Sequence, residues 1–158
     1  MQRPRGTYYD KRYRAEIAFS GPCRILRIVA RLAYTLVRIV IGYILLMHGW
    51  VKVNTGITGV AGFMAKNGLE PSQLFAGAAM FLETVGAVCL IVGLFTRFFA
   101  AALAIEIGIA FLVVHMSKGF AAAQGGYEYV LLIGIVLFAI AIRGGGSYSL
   151  DRVIGKEL

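Results

Sequence analysis

Ionisable side chains lie inside stretches of this chain that are otherwise apolar enough to cross a bilayer. They are Arg38, Glu83, Glu106 and Glu128. A charge near the middle of a lipid core costs about 2.5–3.5 kcal/mol on insertion scales, so such a residue usually has a partner or a function. A carboxylate in hydrocarbon either takes a proton or pairs with a cation. We therefore expect the chemistry of this chain to lie around these residues.

Position along the apolar stretches predicts how deep each charge lies. Glu83 and Glu106 fall near the middle of their stretches, and Arg38 lies about 9 Å inside one edge. We expect Arg38 to pair with one of the two glutamates, either as a structural clamp or as part of a functional site. Glu106 and His115 are nine residues apart, which is half a turn out of phase in a regular α-helix, so they are not expected to face one cavity.

A second group of polar residues is predicted near the outer edge of the bilayer. Its members are His48, Lys52, His115, Tyr127 and Glu128. His48 and Lys52 are four residues apart and therefore share a helix face. A lysine at a span end is also typical of an anchor that extends to the headgroups.

These residue types suit a quinone site. A quinone headgroup needs hydrogen-bond donors and proton carriers at a position open to lipid. The residues of these types are His48, Glu83, Tyr127 and Glu128. We expect them to line the site, with Lys52 as a further binding residue.

Metal and thiol chemistry fit the sequence less well. Haem ligation by His48 or His115 is an alternative, but their spacing matches no recognised haem motif. Cys23 and Cys89 form neither a CxxC pair nor a metal-ligand spacing, so we interpret both as small apolar residues. No metal site is therefore predicted.

The composition predicts a membrane protein. Hydrophobic residues make up 59% of the 158 residues, compared with about 45–50% in soluble domains. Apolar windows near the ~20 residues needed to cross a bilayer occur at 32–51, 72–95, 98–116 and 127–142. The expected fold class is all-α: a polytopic membrane protein with an antiparallel bundle of four transmembrane helices. The fourth window holds 16 residues, about 24 Å of helix, and is the shortest.

The segments around this 32–143 bundle are predicted to be interfacial. Residues 1–31 form a basic cytoplasmic or interfacial N-terminal segment, and residues 144–158 form a cytoplasmic tail. The 54–70 connection carries apolar residues at helical spacing, which predicts a short helix on the outer surface. Small residues seven positions apart in the first span, Gly42 and Gly49, are typical of close helix packing.

The net charge of +8 is distributed as a topology signal. Eight basic residues precede residue 32: Arg3, Arg5, Lys11, Arg12, Arg14, Arg24, Arg27 and Arg31. With a cytoplasmic amino terminus, the inner side also receives Arg97, Arg143, Arg152 and Lys156, and the outer side receives Lys52, Lys66 and Lys118. This distribution obeys the positive-inside rule, so both termini are expected in the cytoplasm. The lipid bilayer is the expected partner, and no nucleic acid is expected, because no basic face has regularly interleaved aromatics.

Four motifs in order give the chain a family resemblance. They are HGWVK at 48–52, ETVGAVCLIVGLFTRFFAA at 83–101, GGYE at 125–128 and GGGSYSLD at 144–151. Together they resemble the DoxX family of small four-span bacterial membrane proteins over about residues 34–152. The motif positions carried over are Lys52, Glu83, Arg97, Glu128 and Asp151. Glu106 and the basic lead belong to no family motif.

The resemblance implies a four-helix bundle of the bacterial inner membrane that is associated with redox systems. A quinone is the cofactor that this association implies, and a membrane or redox-complex protein is the implied partner. Three functions stay open: an accessory or quinone-facing subunit of a redox complex, a structural or assembly subunit without a ligand, and a small transporter or proton pathway. Whether the chain is itself an enzyme stays open too.

Overall fold

The chain is helical throughout the part that the structure describes. A computed structural model describes residues 20–155, with side chains from residue 24 onward. The helices are α1 (Ser20–Thr55), α2 (Ile57–Lys66), α3 (Ser72–Phe81), α4 (Ala87–Val92), α5 (Thr96–Ala110), α6 (Glu128–Arg143) and α7 (Leu150–Ile154). No strand occurs within residues 20–155, so the all-α class is confirmed there. The predicted N-terminal segment before residue 20 and the end of the predicted tail, 156–158, lie outside the described residues.

Within residues 20–155, three helical rods are long and apolar enough to cross a membrane. They are Arg24–Thr55, Ser72–Val92 and Thr96–Lys118. The second rod joins α3 to α4 through a π-helical turn, Leu82–Gly86. The third continues α5 through another π turn, Phe111–His115. The first is the longest, because the 36 residues of α1 extend about 54 Å, well beyond a ~30 Å lipid core.

The fourth predicted span forms a shorter helix. The 16 residues of α6 extend about 24 Å, and this helix packs along α5. Only residues 93–95 separate α4 from α5, which makes these two helices neighbours. The 54–70 connection contains the helix α2, as predicted.

A narrow apolar core joins α1, α4, α5 and α6. Its largest fully buried side chains are Leu45, Leu90, Leu103, Leu137 and Ile140. Because lipid tails are as apolar as leucine, this core stabilises the bundle through close packing rather than by exclusion of water. The apolar side chains that the fold leaves outside the core, Leu112, Leu132 and Phe138 among them, have the chemistry of a lipid-facing surface.

Glycines bring α1 close to the second rod. A Cβ on Gly42 would lie 3.1 Å from the carbonyl oxygen of Ala87, and one on Gly49 would lie 2.5 Å from that of Glu83. Side chains do not fit at such distances, so the close packing predicted from the spacing of Gly42 and Gly49 is confirmed. The approach at Gly49 places α1 directly against the π turn that carries Glu83.

Candidate functional site

A cavity among α1, α2, α3, α5 and α6 collects several polar residues of the apolar rods. Its volume is about 520 Å³, within the ~300–1,000 Å³ typical of small-molecule sites. Its polar lining residues are His48, Lys52, Glu83, Glu106, His115 and Tyr129. The rest of its wall is apolar, so polar groups and hydrocarbon surface share one chamber. We call this chamber the polar cavity.

Lys52 and Glu83 form an ion pair in the wall of the polar cavity. The Nζ atom of Lys52 donates a hydrogen bond to Oε2 of Glu83. Glu83 is 4% exposed, and the ammonium group gives its carboxylate the partner that a buried charge requires. Lys52 therefore turns into the bundle instead of extending to the headgroups, which its position at a span end alone did not predict.

Glu83 sits on an irregular part of its rod. The π turn Leu82–Gly86 includes it. The hydroxyl of Thr84 donates to the carbonyl of Met80 at 2.5 Å. This bond gives that carbonyl a partner where the wider turn alters the regular backbone hydrogen bonds. Such turns occur frequently at functional sites. Neither π turn has a signal in the sequence that periodicity detects.

Glu106 and His115 line the same cavity, so the expectation that they face different sides is wrong. The π turn Phe111–His115 follows Glu106, and one extra residue in a turn shifts the following side chains by about 100°. The angle between Glu106 and His115 around the helix axis is thereby reduced from half a turn to about a quarter of a turn. The Nδ1 atom of His115 lies 2.7 Å from the carbonyl oxygen of Gly125. Because a carbonyl only accepts, Nδ1 is the donor in this bond.

Tyr127 and Glu128 lie outside the lining of the polar cavity, so neither lines the site as predicted. The ring of Tyr127 packs edge to face against two phenylalanine rings, at centroid distances of 5.3 and 5.7 Å. Glu128 is exposed, and its Oε2 accepts a hydrogen bond from the backbone N–H of Ala122 at 3.2 Å. The loop before α6 thus engages both side chains. Tyr129 lines the cavity instead. In the sequence, only its position beside Tyr127 and Glu128 indicated it.

Arg38 bonds to backbone carbonyls near the other end of the bundle. Its Nη1 donates to the oxygen of Gly145 at 2.6 Å. Its Nη2 donates to the oxygens of Tyr148 at 2.8 Å and Ile91 at 3.3 Å. The residue is 1% exposed. A guanidinium suits this position, because its fixed fork of donors reaches several acceptors at once.

The predicted pairing of Arg38 with Glu83 or Glu106 is therefore wrong. Arg38 precedes Lys52 by fourteen residues on α1, which is about 21 Å of helix, and Lys52 is the residue that meets Glu83. The charges of the bundle thus divide into two separate groups rather than one.

Asp151 holds the start of α5. Its Oδ1 accepts from the N–H of Phe95 at 2.7 Å, and its Oδ2 accepts from the N–H of Thr96 at 2.9 Å. Its own N–H donates to the oxygen of Gly93 at 2.9 Å. A carboxylate that accepts from the first N–H groups of a helix satisfies groups that have no partner within the helix, and its charge complements the helix dipole. The Arg38 cluster consists of Arg38, Gly93, Gly145 and Asp151.

Gly93 packs directly against the guanidinium of Arg38 in this cluster. It has a positive φ of 76°, and a Cβ there would lie 2.1 Å from Nη1 of Arg38. We expect Gly93→Ala to lower the free energy of unfolding by about 2 kcal/mol through backbone strain and displacement of Arg38. Unfolding in mixed detergent micelles, followed by circular dichroism, measures this change. The matched control is Gly77→Ala in α3, which has no atom within 4 Å of its added Cβ; equal effects of the two variants would contradict the prediction.

A larger groove lies along α5 and α6 but offers little chemistry. Its volume is about 890 Å³, and its lining is apolar apart from Arg97. The guanidinium of Arg97 donates to the carbonyl of Ile142 at 2.5 Å. The groove therefore resembles a surface for acyl chains, whereas the polar cavity has the groups of a binding site.

Among the described residues, no three His, Cys, Asp or Glu side chains lie close enough together to hold one metal ion. The fold and the polar cavity define a helical membrane protein with charged groups enclosed between its rods.

Comparison with known proteins then gives the family. The DoxX family model matches residues 33–116, and the chain belongs to the DoxX family. An uncharacterized protein of Haemophilus influenzae (strain ATCC 51907 / DSM 11121 / KW20 / Rd) is 34% identical over 130 residues, which cover 76% of this chain and 89% of that protein. A second uncharacterized protein of the same strain is 33% identical over 88 residues, 56% of this chain and 58% of that protein. No solved structure gives a significant match.

Proposed function

We propose that this chain is a quinone-binding subunit of a membrane redox complex, with the polar cavity as its binding site. The observation that carries this proposal is the cavity of about 520 Å³, which combines apolar walls with charged and imidazole side chains. A lipid-soluble quinone has the same two parts, a hydrocarbon tail and a polar ring. A bound quinone supplies two-electron, two-proton chemistry that side chains lack.

Residues of the cavity have the chemistry to bind and orient such a ring. The ammonium group of Lys52 has three N–H donors, and its bond to Glu83 fixes its direction. His48 lines the same cavity, and its ring nitrogens can donate or accept a hydrogen bond. Glu83 then serves to position Lys52. The quinone oxygens accept hydrogen bonds from the ammonium group of Lys52.

We further propose that the chain crosses the inner membrane four times, as an antiparallel bundle within residues 32–143 and with both termini in the cytoplasm. Arg38 contacts Ile91, and Lys52, further along α1, contacts Glu83. These contacts support opposite directions for the first and second rods. The short α6 would cross beside α5, against which it packs. Arg97, Arg143 and Arg152 lie within four residues of members of the Arg38 cluster in the sequence, and these basic residues support a cytoplasmic side there.

Filling the polar cavity is expected to abolish quinone binding. Ala110 lines the cavity, and Ala110→Phe would place an aromatic ring in the space that the ligand needs. We expect the quinone retained after gentle detergent extraction to fall at least about tenfold, because overlap with a bulky side chain leaves no room for the ring. Native mass spectrometry with quantification of extracted quinone measures this loss.

Ala139→Phe is the matched control. Ala139 is exposed on α6 and does not line the polar cavity, so this variant adds the same ring without occupying the site. Equal retention by the two variants, or no quinone on the unaltered protein in quinone-containing membranes, would contradict the proposal.

A structural or assembly role is the second candidate, and the start of α1 favours it. Arg24, Arg27 and Arg31 lie there at helical spacing and are exposed, as are Ile25 and Leu26. A basic, apolar helix of this kind suits an anionic membrane surface or a partner protein. Copurification with a larger complex, without retained quinone, would favour this role. A transporter receives no comparable support, because the three rods are continuous.

A further inference from the structure

Glu106 has a carboxylate oxygen without a partner. Its Oε2 is buried and has no hydrogen bond, and the side chain lines the polar cavity. A buried polar atom without a partner is destabilising and therefore rare in folded proteins. This oxygen can accept a hydrogen bond from a donor on another group.

The charged groups around Glu106 do not supply this donor. Lys52 and Glu83 are the charges that act on it most, and the ammonium of Lys52 is bonded to Oε2 of Glu83. The Nδ1 atom of His115 is bonded to the carbonyl of Gly125. Among the residues that line the polar cavity, Lys52 is the one lysine or arginine, so a glutamate remains in excess.

The neighbourhood of Glu106 suits a hydrophobic molecule with a hydroxyl group. Ala102, Ile105, Ile109 and Ala110 lie within one turn of Glu106 on α5 and also line the cavity. A single water needs two to four polar partners, about three on average, whereas this part of the wall is mostly apolar. The cavity of about 520 Å³ has room for an aromatic ring beside the carboxylate.

We propose that Glu106 accepts a hydrogen bond from the hydroxyl group of a phenol-type ligand, and that it thereby makes the polar cavity select hydroxylated rings over rings that lack a donor. The inference rests on the proposed function and deepens it, since a hydroquinone is a phenol-type ligand and the corresponding quinone has no O–H group. Glu106 is then the residue that distinguishes the reduced headgroup from the oxidised one.

Two redox-stable probes test this selectivity without any turnover. 4-Nonylphenol carries the hydroxyl group, and its methyl ether, 4-nonylanisole, has nearly the same shape without the donor. Binding to the full chain in lipid nanodiscs is measured by native mass spectrometry and by thermal shift. We expect the unaltered protein to bind the phenol about tenfold more tightly than the ether, because the ether leaves the buried oxygen of Glu106 without a donor.

Variants at Glu106 assign the selectivity to this side chain. Glu106→Leu removes the acceptor. We expect this variant to bind the phenol and the ether about equally tightly, with ether binding unchanged. Glu106→Gln retains one acceptor oxygen and is expected to keep part of the preference. Glu70→Gln, at an exposed glutamate outside the cavity, is the control and should leave the preference unchanged.

The outcomes separate this inference from the proposed function. Equal binding of phenol and ether to the unaltered protein would overturn the role of Glu106, and the cavity would remain a binding site. An undiminished preference in Glu106→Leu, or in Glu106→Gln if the leucine variant does not fold, would overturn it as well. If neither probe binds and Ala110→Phe changes nothing, both the proposed function and this inference are overturned.

Discussion

Replacing Glu83 with leucine is expected to lower the free energy of unfolding by about 3–5 kcal/mol, and replacing Lys52 as well is expected to recover most of that loss. Glu83 is buried and bonded to Lys52, so Glu83→Leu leaves an ammonium group in an apolar wall without its counter-ion. The double variant with Lys52→Met removes both charges and keeps hydrophobic side chains of similar length. Since the double variant recovers most of the loss and Lys52→Met alone also leaves a charge without its partner, we expect a coupling free energy of about 3 kcal/mol or more.

A double-mutant cycle measures this coupling. Each variant is unfolded in mixed micelles of mild detergent and dodecyl sulfate, and helix content is followed by circular dichroism. Lys66→Met, alone and combined with Glu83→Leu, is the control, because Lys66 is exposed at the end of α2. Additive effects for Lys52 and Glu83, like those expected with Lys66, would show that the ion pair does not stabilise the bundle.

Replacing Asp151 with asparagine is expected to lower the free energy of unfolding by about 3 kcal/mol. The carboxylate accepts from the N–H groups of Phe95 and Thr96, both at charge-assisted distances of 2.7 and 2.9 Å. Such bonds are worth about 1.5–3 kcal/mol each. An asparagine side chain has one acceptor oxygen, and its NH₂ group cannot accept from the second N–H, so one backbone donor is left without a partner.

Hydrogen exchange distinguishes loss of this cap from general loosening. In Asp151→Asn, the amides of residues 95–97 should exchange faster, whereas those around Glu83 should keep their protection at low denaturant. Val153→Ala, at an 82% exposed position of α7, is the control and should change neither the unfolding nor the exchange. Unchanged exchange at residues 95–97 in the asparagine variant would contradict the role of Asp151.

The rods themselves follow from local sequence patterns. Runs of apolar residues near the length of a lipid core predicted the first three membrane helices, and the 54–70 segment predicted α2 from its helical spacing. Gly42 and Gly49 predicted the side on which α1 packs. All of these signals depend on residues that are close in sequence, which is why they were readable without a structure.

Only part of the polar cavity could be predicted from the sequence, because its geometry depends on irregular turns. His48, Lys52 and Glu83 were selected from their type and depth, and the three side chains line this cavity. The convergence of Glu106 with His115 was not predicted, since it requires the π turn Phe111–His115. A span whose residues are apolar on nearly every face gives no periodic signal of the shift that such a turn produces. Periodicity therefore predicts the rod but not the rotation of its final residues.

The Arg38 cluster was missed for a different reason. The depth of Arg38 in the membrane was predicted, but its partners are carbonyl oxygens at 91, 145 and 148. Every residue has a carbonyl group, so no residue type marks these acceptors in the sequence. The motifs at 83–101 and 144–151 contain them and the capping Asp151, and the contacts between the two motifs are visible only when the chain is folded.

The position of the Asp151 carboxylate has a consequence for synthesis in the cell. Helix α5 begins at Thr96, and the side chain that caps it lies 55 positions later. During synthesis the first amides of α5 therefore stay without this cap until α6 and residue 151 have been made. Formation of α5 and closure of its cap are thus separate steps, and the second depends on the last part of the described chain.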